Sequence, residues 1–168
     1  MHIFLINMGK LLKCKKWFEI QFVDTLNLQE LINLGLYNEA LNSLNGIENG
    51  NPDEKELMRA KIMVYQKNYN DAIIILEKLV RNRNLDVNRK YDTFTLLALS
   101  YIERDQLALA KLYIRAIELE FPNYFIDRKE ENYEMDAMLY RAKAHMNRKE
   151  QEFEIADAYL ELASQLQG

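Results

Sequence analysis

Two histidines, one cysteine and a run of carboxylates in the last forty or so residues are the groups from which a catalytic or metal site would have to be assembled. His2 and His145 lie in different terminal regions. No His-Glu-x-x-His helix and no cysteine pair accompanies them, so the usual zinc sites lack a ligand set. There is also no glycine-rich phosphate loop and no serine in a nucleophile elbow. Without a nucleophile, a base and an oxyanion donor the chain is expected to be non-catalytic, with no cofactor and no metal.

The carboxylates Glu130, Glu131, Glu134, Asp136, Glu150, Glu152 and Glu154 are interleaved with Arg128, Lys129, Arg141, Arg148 and Lys149. Alternating signs of this kind are the pattern of a solvated helix face. His145, near a helix end, reads as a surface or partly buried residue compatible with the helix dipole. Met135, Met138 and Met146 are spaced for one side of a helix, which predicts core packing or, alternatively, a soft binding surface.

The elements that must carry these residues are announced by an internal repeat. Leu28, Asn33, Gly35, Tyr37, Ala40, Leu41 and Leu44 are followed by Ala60, Met63, Tyr65, Tyr69, Ala72, Ile73, Leu76 and Leu79 in the same pattern. Phe94, Leu97, Ala98, Tyr101, Leu107, Ala110, Ile114 and Ile117 give a third copy. The alanines Ala40, Ala72 and Ala110 are 32 and 38 residues apart, which brackets the period of about 34 expected of a helix-turn-helix array. An alanine is required where two helix backbones approach closely. Gly35, Asn68 and Asp105 are the expected left-handed turn residues. Pro52 and Pro122, the only two prolines, are expected to close repeats by stopping helices.

On these residues the chain resembles the tetratricopeptide repeat family over about 100 residues, Thr25 to Asn123. The third copy is the fullest, because Phe94, Leu97, Ala98 and Tyr101 meet all four positions of the first helix. The first copy has Asp24 and Leu28 at signature positions, and the second has Glu56 and Arg59. Four extra residues near Val87 to Lys90 are expected to lengthen the link into the third copy. The resemblance implies an all-α, right-handed superhelical solenoid of helical hairpins. Its expected parts are a cap at 1–20, repeats at 21–52, 53–90 and 91–124, and a degenerate hairpin or cap at 125–168. In that last part the two helices are expected from Asp127 to Asn147 and from Glu150 to Leu166.

Composition is consistent with this class. With 168 residues and 49% apolar content, one continuous stacked core can form. A net charge of −4 argues against nucleic acid, which needs a concentrated basic face. A lone cysteine, Cys14, cannot form an intramolecular disulfide, and no apolar run approaches membrane-span length. Lys10, Lys13, Lys15 and Lys16 follow the apolar run Ile3 to Ile6, the wrong order for a secretory signal. A cytoplasmic location is therefore expected. The same lysines alternate with Leu11, Leu12, Trp17, Phe18, Ile20 and Phe22, which predicts an amphipathic cap helix; docking on an anionic membrane or a partner is the alternative.

In the family the first helix of each repeat lines the concave surface, and residues not used for packing point into the groove. The resemblance thus implies a groove holding Gln29 and Asn33, Lys61 and Tyr65, and Leu99, Ile102 and Glu103. Tyr65, Leu99 and Ile102 are the expected anchors, and Gln29, Asn33, Lys61 and Glu103 the expected orienting groups. Thr95, on the same helix, is expected to face the groove too. Such a surface suits a peptide or amphipathic helix of a partner protein. The clamp that holds acidic chaperone tails is missing, because Thr25, Gln29, Met58, Asp92 and Leu96 supply no cation. Tyr37, Tyr69 and Tyr101 are expected in the core, and Leu99→Asp is expected to leave the fold nearly intact.

The expected function is a non-catalytic adaptor, scaffold or chaperone-like binding module. Two alternatives stand beside it. The groove could be filled by the chain's own terminal helix or by a second copy. Alternatively, Arg81, Arg83, Arg89 and Lys90, with Lys10 to Lys16, could bind RNA or anionic lipid, although Asp86, Asp92 and Glu103 dilute that charge.

Overall fold

The computed structural model describes residues 27–47, 50–121 and 133–166. Every regular element among them is an α-helix. The chain divides into two compact units, Met1–Asn49 and Gly50–Gly168. The first contains α1 (Leu28–Asn33) and α2 (Tyr37–Gly46). The second contains α3 (Pro52–Tyr65), α4 (Tyr69–Val80), α5 (Val87–Glu103), α6 (Leu107–Glu120), α7 (Tyr133–Lys149) and α8 (Phe153–Gln165).

The helices pair into four hairpins, α1/α2, α3/α4, α5/α6 and α7/α8, closed by one recurring turn. In each, two successive backbone N–H groups fold back onto the end of the first helix. Gly35 donates to Ile32 and Leu36 to Leu31 at 3.0 and 2.9 Å; Lys67 donates to Val64 and Asn68 to Met63 at 2.9 and 2.8 Å. Asp105 donates to Ile102 and Gln106 to Tyr101 at 3.0 and 2.8 Å; Gln151 donates to Arg148 and Glu152 to Asn147 at 3.1 and 2.8 Å. This double bond pattern satisfies two carbonyls that a helix end leaves open, and it requires a left-handed residue. The φ values of Gly35, Lys67, Asp105 and Gln151 are 72°, 60°, 59° and 66°. Lys67 therefore takes the position expected of Asn68, which instead precedes α4 with φ −86°.

Five residues after each left-handed residue comes an alanine, and Ala40, Ala72, Ala110 and Ala156 are all completely buried. Ala60, Ala98 and Ala144 are likewise buried seven residues before their turns. The two sets mark where the helices of a hairpin and its neighbours come closest, so that any larger side chain would push them apart. Ala144 and Ala156 extend the register into the α7/α8 hairpin, where the sequence pattern is degenerate.

Two boundary expectations are corrected. Pro52 opens α3 rather than closing the preceding helix, which ends at Gly46. A proline lacks the N–H that the first helical turn cannot use, and Asn51 caps the same turn by accepting from the Asp53 N–H at 2.9 Å. Val87 to Lys90 do not lengthen the link into α5; they are its first turn. Asp86 caps them, accepting from the Arg89 N–H at 3.0 Å. Pro122 and Asp127 lie outside the described residues, as do the expected cap at 1–20 and Cys14.

In the second unit one apolar cluster runs from Leu57 and Ala60 on α3, through Leu76, Phe94, Leu97 and Ile114, to Met135, Met138, Leu139 and Ala142 on α7. Met135 and Met138 are buried and Met146 packs against the cluster, so these methionines are core residues. Of the three hairpin tyrosines expected in the core, Tyr101 is buried and Tyr37 and Tyr69 are half-buried.

Candidate interaction surface

The first helices of the second unit, α3 and α5, carry five of the seven expected groove residues, and α7 lies against them. The Nζ of Lys61, on α3, donates to Glu134 Oε2 at 2.5 Å. The hydroxyl of Tyr65, one turn along, donates to the other oxygen of the same carboxylate. Burial alone would raise the Glu134 pKa. The hydrogen bonds from Lys61 and Tyr65 and the charge on Lys61 outweigh it and leave Glu134 below the ordinary carboxylate range.

Farther along, on α5, Glu103 Oε1 lies 2.9 Å from His145 Nδ1 of α7. Between these two polar contacts the hydroxyl of Tyr91 donates to Asp136 Oδ1 at 2.9 Å, with both side chains buried. Glu103 also faces Tyr69 of α4, whose phenol is raised by burial first and by that negative charge second.

The remaining predicted positions divide. Ile102 is completely buried, which corrects its expected role as an accessible anchor; in this structure it is core. Leu99 is half-buried and packs against the cluster, so Leu99→Asp is not a neutral surface change. Thr95, expected to face the groove, is also completely buried, and its hydroxyl has no hydrogen-bond partner among the described residues. Gln29 and Asn33 belong to the first unit, where the Gln29 amide donates to Asn33 Oδ1 at 2.9 Å. They are described only within that unit.

The expectation of a solvated carboxylate face also changes. Asp136 is 2% exposed and Glu134 is half-buried, because α7 turns this edge onto α3 and α5. Glu150 pairs with Lys111, while Glu152 and Glu154 are exposed. Glu130 and Glu131 lie outside the described residues.

Of the basic junction residues, Arg89 bridges Asp86 and Glu54 and Lys90 pairs with Glu120, whereas Arg81 and Arg83 are exposed. Half of that basic cluster is thus paired with exposed carboxylates at the surface. Lys10 to Lys16 lie outside the described residues.

One cluster escaped the sequence reading. Glu77 of α4 accepts from the hydroxyls of Tyr101 at 2.9 Å and Tyr113 at 2.6 Å, and the two rings stack with centroids 5.9 Å apart. The signal was a single carboxylate between Ile73 and Val80 on the apolar side of a helix. Burial, then Glu77, pushes Tyr101 up to about 12 and raises Tyr113 further.

Among the described residues no group of three or more His, Cys, Asp or Glu could hold a metal ion. No helix among them is long and apolar enough to cross a membrane. No family model, curated protein or solved structure matches the chain at a significant level.

Proposed function

We propose that this chain is a non-catalytic protein-interaction module of the tetratricopeptide type, an adaptor or chaperone-like binder built as a right-handed solenoid of hairpins. The observation that carries this reading is the recurrence of one turn, with a buried alanine five residues later, in all four hairpins. Stacked hairpins of that kind present a row of first helices on one side, a preorganised surface that binds without folding first. A cytoplasmic location fits a chain with a single cysteine.

α7 is a template for the ligand. The α3/α5 surface accepts a helix that brings a carboxylate to Lys61 and Tyr65 and a basic or hydrogen-bonding ring to Glu103. Because α7 already meets Lys61, Tyr65 and Glu103, the partner is proposed to use the accessible margin at Leu99, Glu103 and His145. In the first unit Gln29 and Asn33 are the proposed contacts. The occupation of α3 and α5 by α7 also favours a second reading, in which this face is an internal packing surface and not a binding groove.

Affinity capture from the native lysate with wild type, Glu103→Arg and Asn33→Arg separates the two. Both changes are at exposed positions. A protein retained by folded wild type and lost from either folded variant supports the groove. Retention unaffected by both variants removes it and leaves the internal-packing reading.

A further inference from the structure

The outer surface of α8 combines two features that the groove reading does not use. Its apolar row, Ile155, Tyr159, Leu162 and Leu166, follows the spacing of one helix face at about 3.6 residues per turn. Ile155 and Leu162 are 49% and 41% exposed, and Tyr159 and Leu166 are half-buried. Ala156 and Ala163 bury the flank of this row that meets α7. Along the other flank run Glu154, Asp157 and Glu161. Asp157 is held by Arg148 at 3.1 Å, but Glu154 and Glu161 have no ion-pair partner among the described residues. α8 itself contains no lysine or arginine. An open recess of about 460 Å³ at its N-terminal end, which Ile155 helps to line, has room for one large side chain.

We propose that this face of α8 docks a cationic amphipathic helix of a partner protein, whose apolar stripe lies on Ile155 and Leu162 and whose lysines or arginines meet Glu154 and Glu161. Charge selects this occupant. A second copy of α8 would set acid against acid, and an anionic membrane or nucleic acid would be repelled by the same row. The helix-in-groove mode supplies the geometry, with the apolar row bounded on one side by the acidic row and, at Tyr159, on the other by Tyr140 and Lys143 of α7. The surface lies on α8 and does not depend on the groove on α3 and α5.

The test is fluorescence anisotropy of the full chain with a labelled synthetic peptide of leucine and lysine in amphipathic helical spacing, beside the same peptide with every lysine replaced by glutamate. The lysine peptide is expected to bind, more weakly as salt rises. Leu162→Asp and the double variant Glu154→Lys/Glu161→Lys, both confirmed folded by circular dichroism, are expected to bind at least about tenfold more weakly. Ile74→Asp, at a position on α4 that is 69% exposed, is expected to bind like wild type. No binding of the lysine peptide, equal binding of the glutamate peptide, or equal loss in Ile74→Asp would overturn the proposal. So would a wild-type dimer in sedimentation that Leu162→Asp dissociates without peptide, because the occupant would then be a second copy.

Discussion

The hydroxyl of Tyr113 on α6 donates a 2.6 Å hydrogen bond to Glu77 on α4, joining two successive hairpins through one carboxylate oxygen. Tyr101 on α5 donates to the same oxygen at 2.9 Å and stacks on the Tyr113 ring. A single acidic side chain thus collects one residue from each helix of the next hairpin. The contact is specific because a displacement of either hairpin would strand a phenol or a carboxylate in partly buried surroundings.

Removing that acceptor is expected to destabilise the fold. Glu77→Ala should cost about 2 kcal/mol, since hydrogen bonds to a charged group are lost and two hydroxyls are left without it. Tyr101→Ala should cost about 3–5 kcal/mol, adding a cavity to the lost bond. Denaturant midpoints with unchanged slopes would measure both; a loss for Glu77→Ala no larger than that of an exposed surface variant would contradict the role given to it.

The same cluster predicts alkaline sensitivity. Burial, then Glu77, holds Tyr101 neutral and raises it from an ordinary value of 10 to about 12. The unfolded chain therefore loses this proton before the folded chain does. The contribution is complete below about pH 10 and is lost as pH rises toward about 12. Phenolate absorbance titration should show the delay, and Glu77→Gln should shift the Tyr101 step back toward 10.

Thr95 offers a gain. Its hydroxyl is fully buried with no hydrogen-bond partner among the described residues. Thr95→Val keeps the shape and removes the desolvated group, so it should stabilise by about 1 kcal/mol in chemical denaturation. Unchanged or reduced stability would mean that the hydroxyl is satisfied in solution.

The four turns form an internal comparison. A Cβ at Gly35 would meet no atom within 4 Å, so Gly35→Ala is opposed by backbone conformation alone and should cost about 1 kcal/mol. Lys67→Gly and Gln151→Gly should each stabilise by up to about 1 kcal/mol, because both residues sit at positive φ. Thermal midpoints of the three variants should move in opposite directions; a common direction would exclude the left-handed turn as the cause.

Across the α5/α7 contact, Tyr91→Phe should cost about 1.5–3 kcal/mol by withdrawing a donor from the buried Asp136. The double variant Tyr91→Phe/Asp136→Asn should lose less than the two single losses combined. Strict additivity in equilibrium unfolding would show that the two groups do not interact.

What the sequence determined by itself is the local grammar of the hairpins. Ala40, Ala72 and Ala110 could be read directly, because close helix approach excludes larger side chains and so restricts residue type at those points. Gly35 and Asp105 were legible for a similar reason, as residues that tolerate the left-handed turn. Lys67 and Gln151 take the same conformation without any such preference, and there the tertiary structure imposes what composition does not announce. Ala144 and Ala156 carried the register into the last hairpin, with Tyr140 and Phe153 at the spacings of Phe94 and Tyr69, but Gln151 stands where Gly35 marks the first turn, and the signal was faint. Only the tertiary structure decided that Ile102 and Thr95 are buried, that Leu99 is half-covered, and that Lys61, Tyr65 and Glu103 face α7. The reason is that periodicity tells which sides of a helix are apolar or polar, whereas the neighbour that covers each side comes from far along the chain. Glu134 lies 73 residues from Lys61, and no pattern local to either residue encodes that meeting.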